Sequence, residues 1–168
     1  MRIDTFYTIS VATAGFPHLA IDLNKPSVKA NFDLQAHSFL CNISGPVISS
    51  ADLMSNGKKR SLSIQLDSDS YIDAEYPFYL FNHSCQPNCG INSDMQLITI
   101  RDVSRDEELC WDYSTAIFGK NWKIKCACGK GCCRGNIKDF NFLPEDLQNH
   151  YSSLGIVLPF IAEQLCSK

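Results

Sequence analysis

Polar and apolar residues alternate between Arg60 and Leu66, as Ser61, Leu62, Ser63, Ile64, Gln65 and Leu66, which is the two-residue period of a strand with one face buried. A second strand is predicted from Met95 to Ile100. Upstream, apolar segments from Phe6 to Ala12 and from Ser38 to Ile43 are broken by Gly15, Pro17, Pro26, Gly45 and Pro46, a punctuation that predicts short strands joined by turns. The helical period shows best from Pro144 to Leu165, where Leu147, Tyr151 and Leu154 share a face and Gly155 and Pro159 interrupt the run. After Lys125 comes a tight cluster of Cys, Gly and Lys ending near Gly135, too rich in turn formers for regular structure. These elements predict a protein built mainly of short β-strands joined by turns, with a helical candidate at its C-terminal end.

With 168 residues the chain has length for one domain and a sizeable core. Hydrophobic residues make up 45% and charged residues 20%, an ordinary globular balance. Fifteen Lys and Arg stand against 18 Asp and Glu, a formal net charge of -3, so no basic excess exists to neutralise a phosphate backbone and direct nucleic-acid binding is not expected. The mild acidity suits a basic peptide. The cysteine count, 9, is high but odd, and Met1-Arg2-Ile3-Asp4 lacks the apolar core of a secretory signal. No apolar run approaches the roughly 18 residues that span a bilayer. The expectation is therefore a cytoplasmic or nuclear protein, not a secreted one, whose thiols are free for metal.

The metal signal is Cys126-Ala127-Cys128-Gly129-Lys130-Gly131-Cys132-Cys133-Arg134-Gly135. Glycines here permit turns tight enough for three thiolates to face one tetrahedral zinc. Spacing leaves the fourth ligand open among Cys85, Cys89, Cys110 and Cys132. A closed four-thiolate site is structural rather than catalytic. Adjacent cysteines such as Cys132 and Cys133 rarely reach disulfide geometry, which argues against a redox pair.

Two further clusters carry candidate chemistry. Phe81-Asn82-His83-Ser84-Cys85-Gln86-Pro87-Asn88 follows the aromatic run Tyr76, Phe78, Tyr79 and Phe81, so its polar groups are expected to be partly buried and hydrogen-bonded. Near neighbours in sequence do not make a hydrolase triad, whose members meet in space. Asp106-Glu107-Glu108-Leu109-Cys110-Trp111-Asp112-Tyr113 leads acidic residues into a short apolar strand ending in Asp-Tyr.

In this order and spacing the segments resemble the SET family of protein lysine methyltransferases. Phe81 to Asn88 is similar to the family's N-H-S-C-x-P-N segment, and Glu107 to Tyr113 to its E-E-L-x-x-D-Y segment. Cys126 to Gly135 is similar to the post-SET tail C-x-C-x4-C-R-G, and Tyr71-Ile72-Asp73-Ala74 to the strand that precedes N-H-S-C. The resemblance covers about residues 38 to 140. It implies a SET-type fold of small sheets in which the two polar segments cross in a pseudoknot, with a SET domain over residues 1–122, a post-SET zinc segment over 123–140 and a helical tail over 141–168.

The same resemblance implies transfer of a methyl group from S-adenosylmethionine to the ε-amine of a lysine in a histone or other protein. Asn82, His83, Phe81 and Tyr113 are its expected cofactor-binding residues, Tyr113 and Tyr71 its expected catalytic residues. It selects Cys85 to complete the structural Zn2+ site with Cys126, Cys128 and Cys133. Two departures stand out. In the best register Lys25-Pro26-Ser27 occupies the place of a G-x-G stretch, with Gly15 the alternative in another register, and Ile43, two residues before Gly45, stands where many relatives carry tyrosine. The missing glycines motivate a second expectation, a catalytically silent module that binds a peptide as an added strand.

Overall fold

The computed structural model describes residues 10–13, 15–22, 26–55 and 63–166. Along the chain come strands β1 (Ser10–Thr13), β2 (Phe16–Asp22), β3 (Ser27–Ala30), β4 (Phe39–Asn42) and β5 (Val47–Ser49), then the short helix α1 (Ser50–Ser55). Strands β6 (Ser63–Gln65), β7 (Ser70–Asp73), β8 (Asn82–His83), β9 (Cys89–Ile91), β10 (Gln96–Thr99) and β11 (Cys110–Trp111) follow. A last pair, β12 (Lys123–Lys125) and β13 (Asn136–Lys138), precedes helices α2 (Glu145–Ser153) and α3 (Pro159–Cys166). Of the apolar segment expected from Phe6 to Ala12, the part from Phe6 to Ile9 lies outside the described residues.

Among the described residues five small sheets result, in orders β1-β2-β3, β4-β10-β9, β5-β7-β6, β8-β11 and β12-β13. Strand β10 shows the expected alternation, with Leu97 and Thr99 buried between half-buried neighbours. Strand β6 departs from it: Ser63, Ile64 and Gln65 are all buried. Alternation predicts one wet face there, but Gln65 spends its polarity inside, accepting the Phe118 N–H at 2.8 Å and donating to the Asp67 carbonyl at 2.8 Å. The two polar segments meet as expected of the resemblance, because β8 and β11 pair in parallel, Asn82 opposite Cys110 and His83 opposite Trp111. Parallel strands cannot be joined by a tight hairpin, so the chain between them, which includes the β9–β10 hairpin, must loop out and return.

The C-terminal run divides where its breakers stand. Gly155 takes φ +66 just after α2, with its N–H on the Ser152 carbonyl, as a helix-terminating glycine does. Pro159 opens α3, where its missing N–H costs nothing. Between the helices Ile156 packs so closely on β9 that a Cβ at Gly90 would lie 2.6 Å from it. The tail is thereby part of the same core as Ile91, Leu97, Trp111, Tyr151 and Ile161.

Gly45 joins β4 to the β5-β7-β6 sheet at φ +150, and a Cβ there would sit 2.0 Å from the Asp73 carbonyl oxygen. That oxygen belongs to backbone that cannot move without disturbing β7. Gly45→Ala is expected to destabilise the fold by on the order of 3 kcal/mol, combining backbone strain with overpacking, measured as a lowered midpoint in urea; an unchanged midpoint would contradict this account of the junction.

Candidate active site

The parallel pairing of β8 with β11 places Asn82, His83 and Tyr113 along one wall of a cleft of about 450 Å3. Glu107, Glu108, Arg101 and Asn88 form another part of the lining. The hairpin β12-β13 contributes Ile124, Lys125, Ala127, Cys128 and Ile137. Sequence reasoning gives Glu108 a place in a motif but no role, and it passes over Ile124, Lys125 and Ile137, whose only common signal is a place in tertiary space.

Asn82 donates from Nδ2 to the Glu108 carboxylate at 2.9 Å and to the Pro26 carbonyl at 3.1 Å. Pro26 thus turns backbone rather than side chain to Asn82, and the adjoining Ser27 is buried. Asn88 is saturated: it donates to Glu107 Oε1 and the Glu108 carbonyl and accepts from the Cys110 N–H. Glu107 in turn pairs with Arg101 at 2.5 Å, which together with hydrogen bonds from Asn88 and Ser104 holds its carboxyl below the usual range.

Tyr113 opens a short 3-10 turn, Tyr113–Ala116, which Asp112 caps by accepting the Ser114 N–H. Its hydroxyl donates to the Phe81 carbonyl at 2.9 Å. Burial, and then the nearby Cys110 and Glu108, push the phenol well above its ordinary pKa, so Tyr113 keeps its proton. Phe81 itself is 1% exposed and reaches the site through that carbonyl rather than its ring. Tyr71 lies on β7, fully buried, and is not part of the cleft lining.

Burial pushes the His83 imidazole down to about 4, with the Arg134 charge adding to the effect and Asp112 opposing it. The ring is therefore neutral. Its Nδ1 accepts the Tyr113 N–H at 3.3 Å, which assigns the proton to Nε2, and Nε2 stands 3.3 Å from Cys85 Sγ. His83 is accordingly a donor to that sulfur.

Donor atoms of His83, Cys85, Cys126 and Cys128 all lie within 4.8 Å of one another. Cys85 and Cys126 sulfurs are 3.7 Å apart. The Cys133 thiol interacts with those of both Cys126 and Cys128. Burial opposes ionisation of Cys128, but backbone N–H groups of Cys85 and Lys130 and the thiols of Cys126 and Cys133 outweigh it and bring that group down to about 6. The sulfurs of Cys85, Cys126 and Cys128 with the His83 imidazole form a donor set that suits a tetrahedral thiophilic cation such as zinc. Cys133, expected as the fourth ligand, is not in that group, although its thiol interacts with those of Cys126 and Cys128. Cys132 instead turns its exposed sulfur toward the Cys85 carbonyl at 3.8 Å, and Cys89 and Cys110 keep their protons, pushed up by burial.

One residue joins these parts. Asp112, 2% exposed, accepts the Ser114 N–H at 3.0 Å, the Arg134 guanidinium at 2.7 Å and the Tyr151 hydroxyl at 2.8 Å. The Arg134 N–H lies 3.4 Å from Cys85 Sγ. The sequence places Asp112 and Arg134 inside recognisable segments but holds no sign that they touch, and it places Tyr151 on an apolar face without a polar partner.

The model for the SET domain matches residues 27–114. Histone-lysine N-methyltransferase trr of Drosophila melanogaster is 32% identical over 118 residues, covering 61% of this chain and 5% of that protein. Histone-lysine N-methyltransferase ATX2 of Arabidopsis thaliana is 36% identical over 85 residues, 45% of this chain and 8% of that one. A Schizosaccharomyces pombe histone-lysine N-methyltransferase, H3 lysine-36 specific, is 36% identical over 93 residues, 49% of this chain and 12% of that one. This chain thus spans only 5% to 12% of the length of these three relatives. The crystal structure of KRYPTONITE in complex with mCHG DNA and SAH has the same fold over 66% of this chain and 26% of its own, at TM-score 0.50 and 22% identity. With a match that starts at β3 and ends in the turn carrying Tyr113, this chain belongs to the SET domain family.

Proposed function

We propose that this chain is a protein-lysine N-methyltransferase that takes its methyl group from S-adenosylmethionine and acts on a lysine of a histone or another protein. One observation carries the proposal: Asn82, His83 and Tyr113 line a single cleft closed on its other side by a hairpin that a thiol cluster ties to β8. Relatives named as histone-lysine methyltransferases support it, as does a structural neighbour solved with SAH. Residues 1–122 would then be the SET domain, 123–140 the zinc segment and 141–168 a helical tail.

S-adenosylmethionine, when bound, supplies an electrophilic methyl on a cationic sulfonium. The chain has to align a neutral amine with it and exclude water. A lysine amine with an ordinary pKa of about 10.4 loses its proton more readily in a desolvated channel beside a cation. Tyr113 holds its own proton and is anchored to Phe81, so it orients the amine and does not act as a base. Asn82 and His83 would contact the cofactor, with Phe81 fixing the Tyr113 hydroxyl beside them. Zinc on Cys85, Cys126, Cys128 and Cys133 would be structural, with His83 Nε2–H bonded to the Cys85 sulfur.

Calorimetric titration of S-adenosylmethionine into zinc-loaded protein, followed by methyl transfer to histones and peptide arrays, tests the proposal. Micromolar binding and labelled lysine are expected, with Tyr113→Phe lowering the rate about 10- to 100-fold at unchanged fold. Absence of both binding and transfer would overturn it and leave a peptide-binding module. Mass spectrometry of bound metal separates the ligand sets: Cys133→Ser and Cys126→Ser are expected to lose zinc, whereas His83→Gln keeps it. Zinc loss in His83→Gln with retention in Cys133→Ser would reverse the assignment.

A further inference from the structure

We infer that Tyr151 on α2 is a positioning residue for the cleft, holding the Asp112 carboxylate so that Arg134, and with it the thiol-bearing hairpin, stays locked to the 3-10 turn that opens with Tyr113. Tyr151 lies beyond the SET match, which ends at Ser114, and it does not line the cleft. It is 1% exposed, and its hydroxyl donates to Asp112 Oδ2 at 2.8 Å. That oxygen shares the Arg134 Nη2 at 2.7 Å, while Oδ1 takes the Ser114 N–H at 3.0 Å and the same Nη2 at 2.8 Å. Arg134 also reaches the Ser114 hydroxyl at 3.2 Å.

The path from this group to the cleft has two branches, each one residue long. Asp112 adjoins Tyr113, whose N–H is bonded to His83 Nδ1, and both of those residues line the cleft. Arg134 follows Cys133, and its N–H lies on the Cys85 sulfur. A carboxylate relieved of Tyr151 has one fewer fixed donor, and the unprotonated His83 Nδ1, 3.6 Å from Oδ1, offers it no replacement. In a buried network each donor restricts the others. Burial first, then the Asp112 charge, push the Tyr151 phenol far above its ordinary range, so the hydroxyl remains a donor. The tail therefore contributes orientation to a site it does not touch.

Tyr151→Phe removes the hydroxyl and keeps the ring in the core. Leu147→Ala, on the same helix and packed on the same core without reaching Asp112, removes packing alone. In zinc-loaded full-length protein Tyr151→Phe is expected to raise Kd and KM for S-adenosylmethionine about three- to tenfold, with kcat within about twofold. Leu147→Ala is expected to lower Tm at least as much and leave KM unchanged. An unchanged KM in Tyr151→Phe, or an equal rise in both variants, overturns the inference. Because the cofactor readout rests on the methyltransferase proposal, amide exchange over residues 112–116 and 126–138 is measured alongside. Faster exchange there in Tyr151→Phe than in Leu147→Ala, with wild type binding no S-adenosylmethionine, would sink the methyltransferase proposal and leave the positioning role supported; equal exchange in the two variants would sink the positioning role.

Discussion

The Asp112 carboxylate is the constraint on which the rest of the site depends. A carboxylate that is 2% exposed is tolerable only when charge and hydrogen bonds replace the water it has lost. Here the replacements come from three separate places: the Ser114 backbone, Arg134 behind the thiol loop, and Tyr151 on a helix near the chain's C-terminal end. Removing one partner of such a buried pair costs about 3–5 kcal/mol. The turn bearing Tyr113, the hairpin and the tail therefore have to dock together or leave a buried charge unmet.

The hairpin is held at two points of different chemistry. On one side its thiols meet Cys85, and on the other the Arg134 guanidinium meets Asp112. His83 stands between them as a neutral ring that accepts from Tyr113 and donates toward Cys85. The clustered sulfurs and the cleft wall are thus neighbours through one side chain. Elsewhere the cleft is kept in shape by saturated polar groups, Asn88 above all, which bonds to Glu107, Glu108 and Cys110 at once.

Two departures from the family pattern acquire a physical description. Pro26 presents its carbonyl to Asn82 where glycines are expected, so backbone still meets the polar segment, although the ring of proline fixes the approach. Ile43 is 6% exposed and belongs to the core, which removes a hydroxyl from the polar inventory and adds apolar volume instead.

Much of the fold and site could be read directly from residues. Strands at Phe39–Asn42 and Gln96–Thr99, the helix break at Gly155 and Pro159, and the convergence of Cys126 and Cys128 follow from period, turn chemistry and thiol spacing, all of which act over a few residues. The resemblance to the SET family implied that Asn82 and His83 lie beside the strand before Tyr113. What the sequence could not decide depended on which surfaces came together. Strand β6 looked half-exposed because alternation says nothing of a second layer, yet Gln65 is sealed inside by a bond to Phe118. Tyr151 looked like one apolar position among three, because a hydroxyl's partner 39 residues away leaves no local trace. The sequence by itself determined the chemistry available; the tertiary structure decided which groups share it, because burial and hydrogen bonding are properties of neighbours in space.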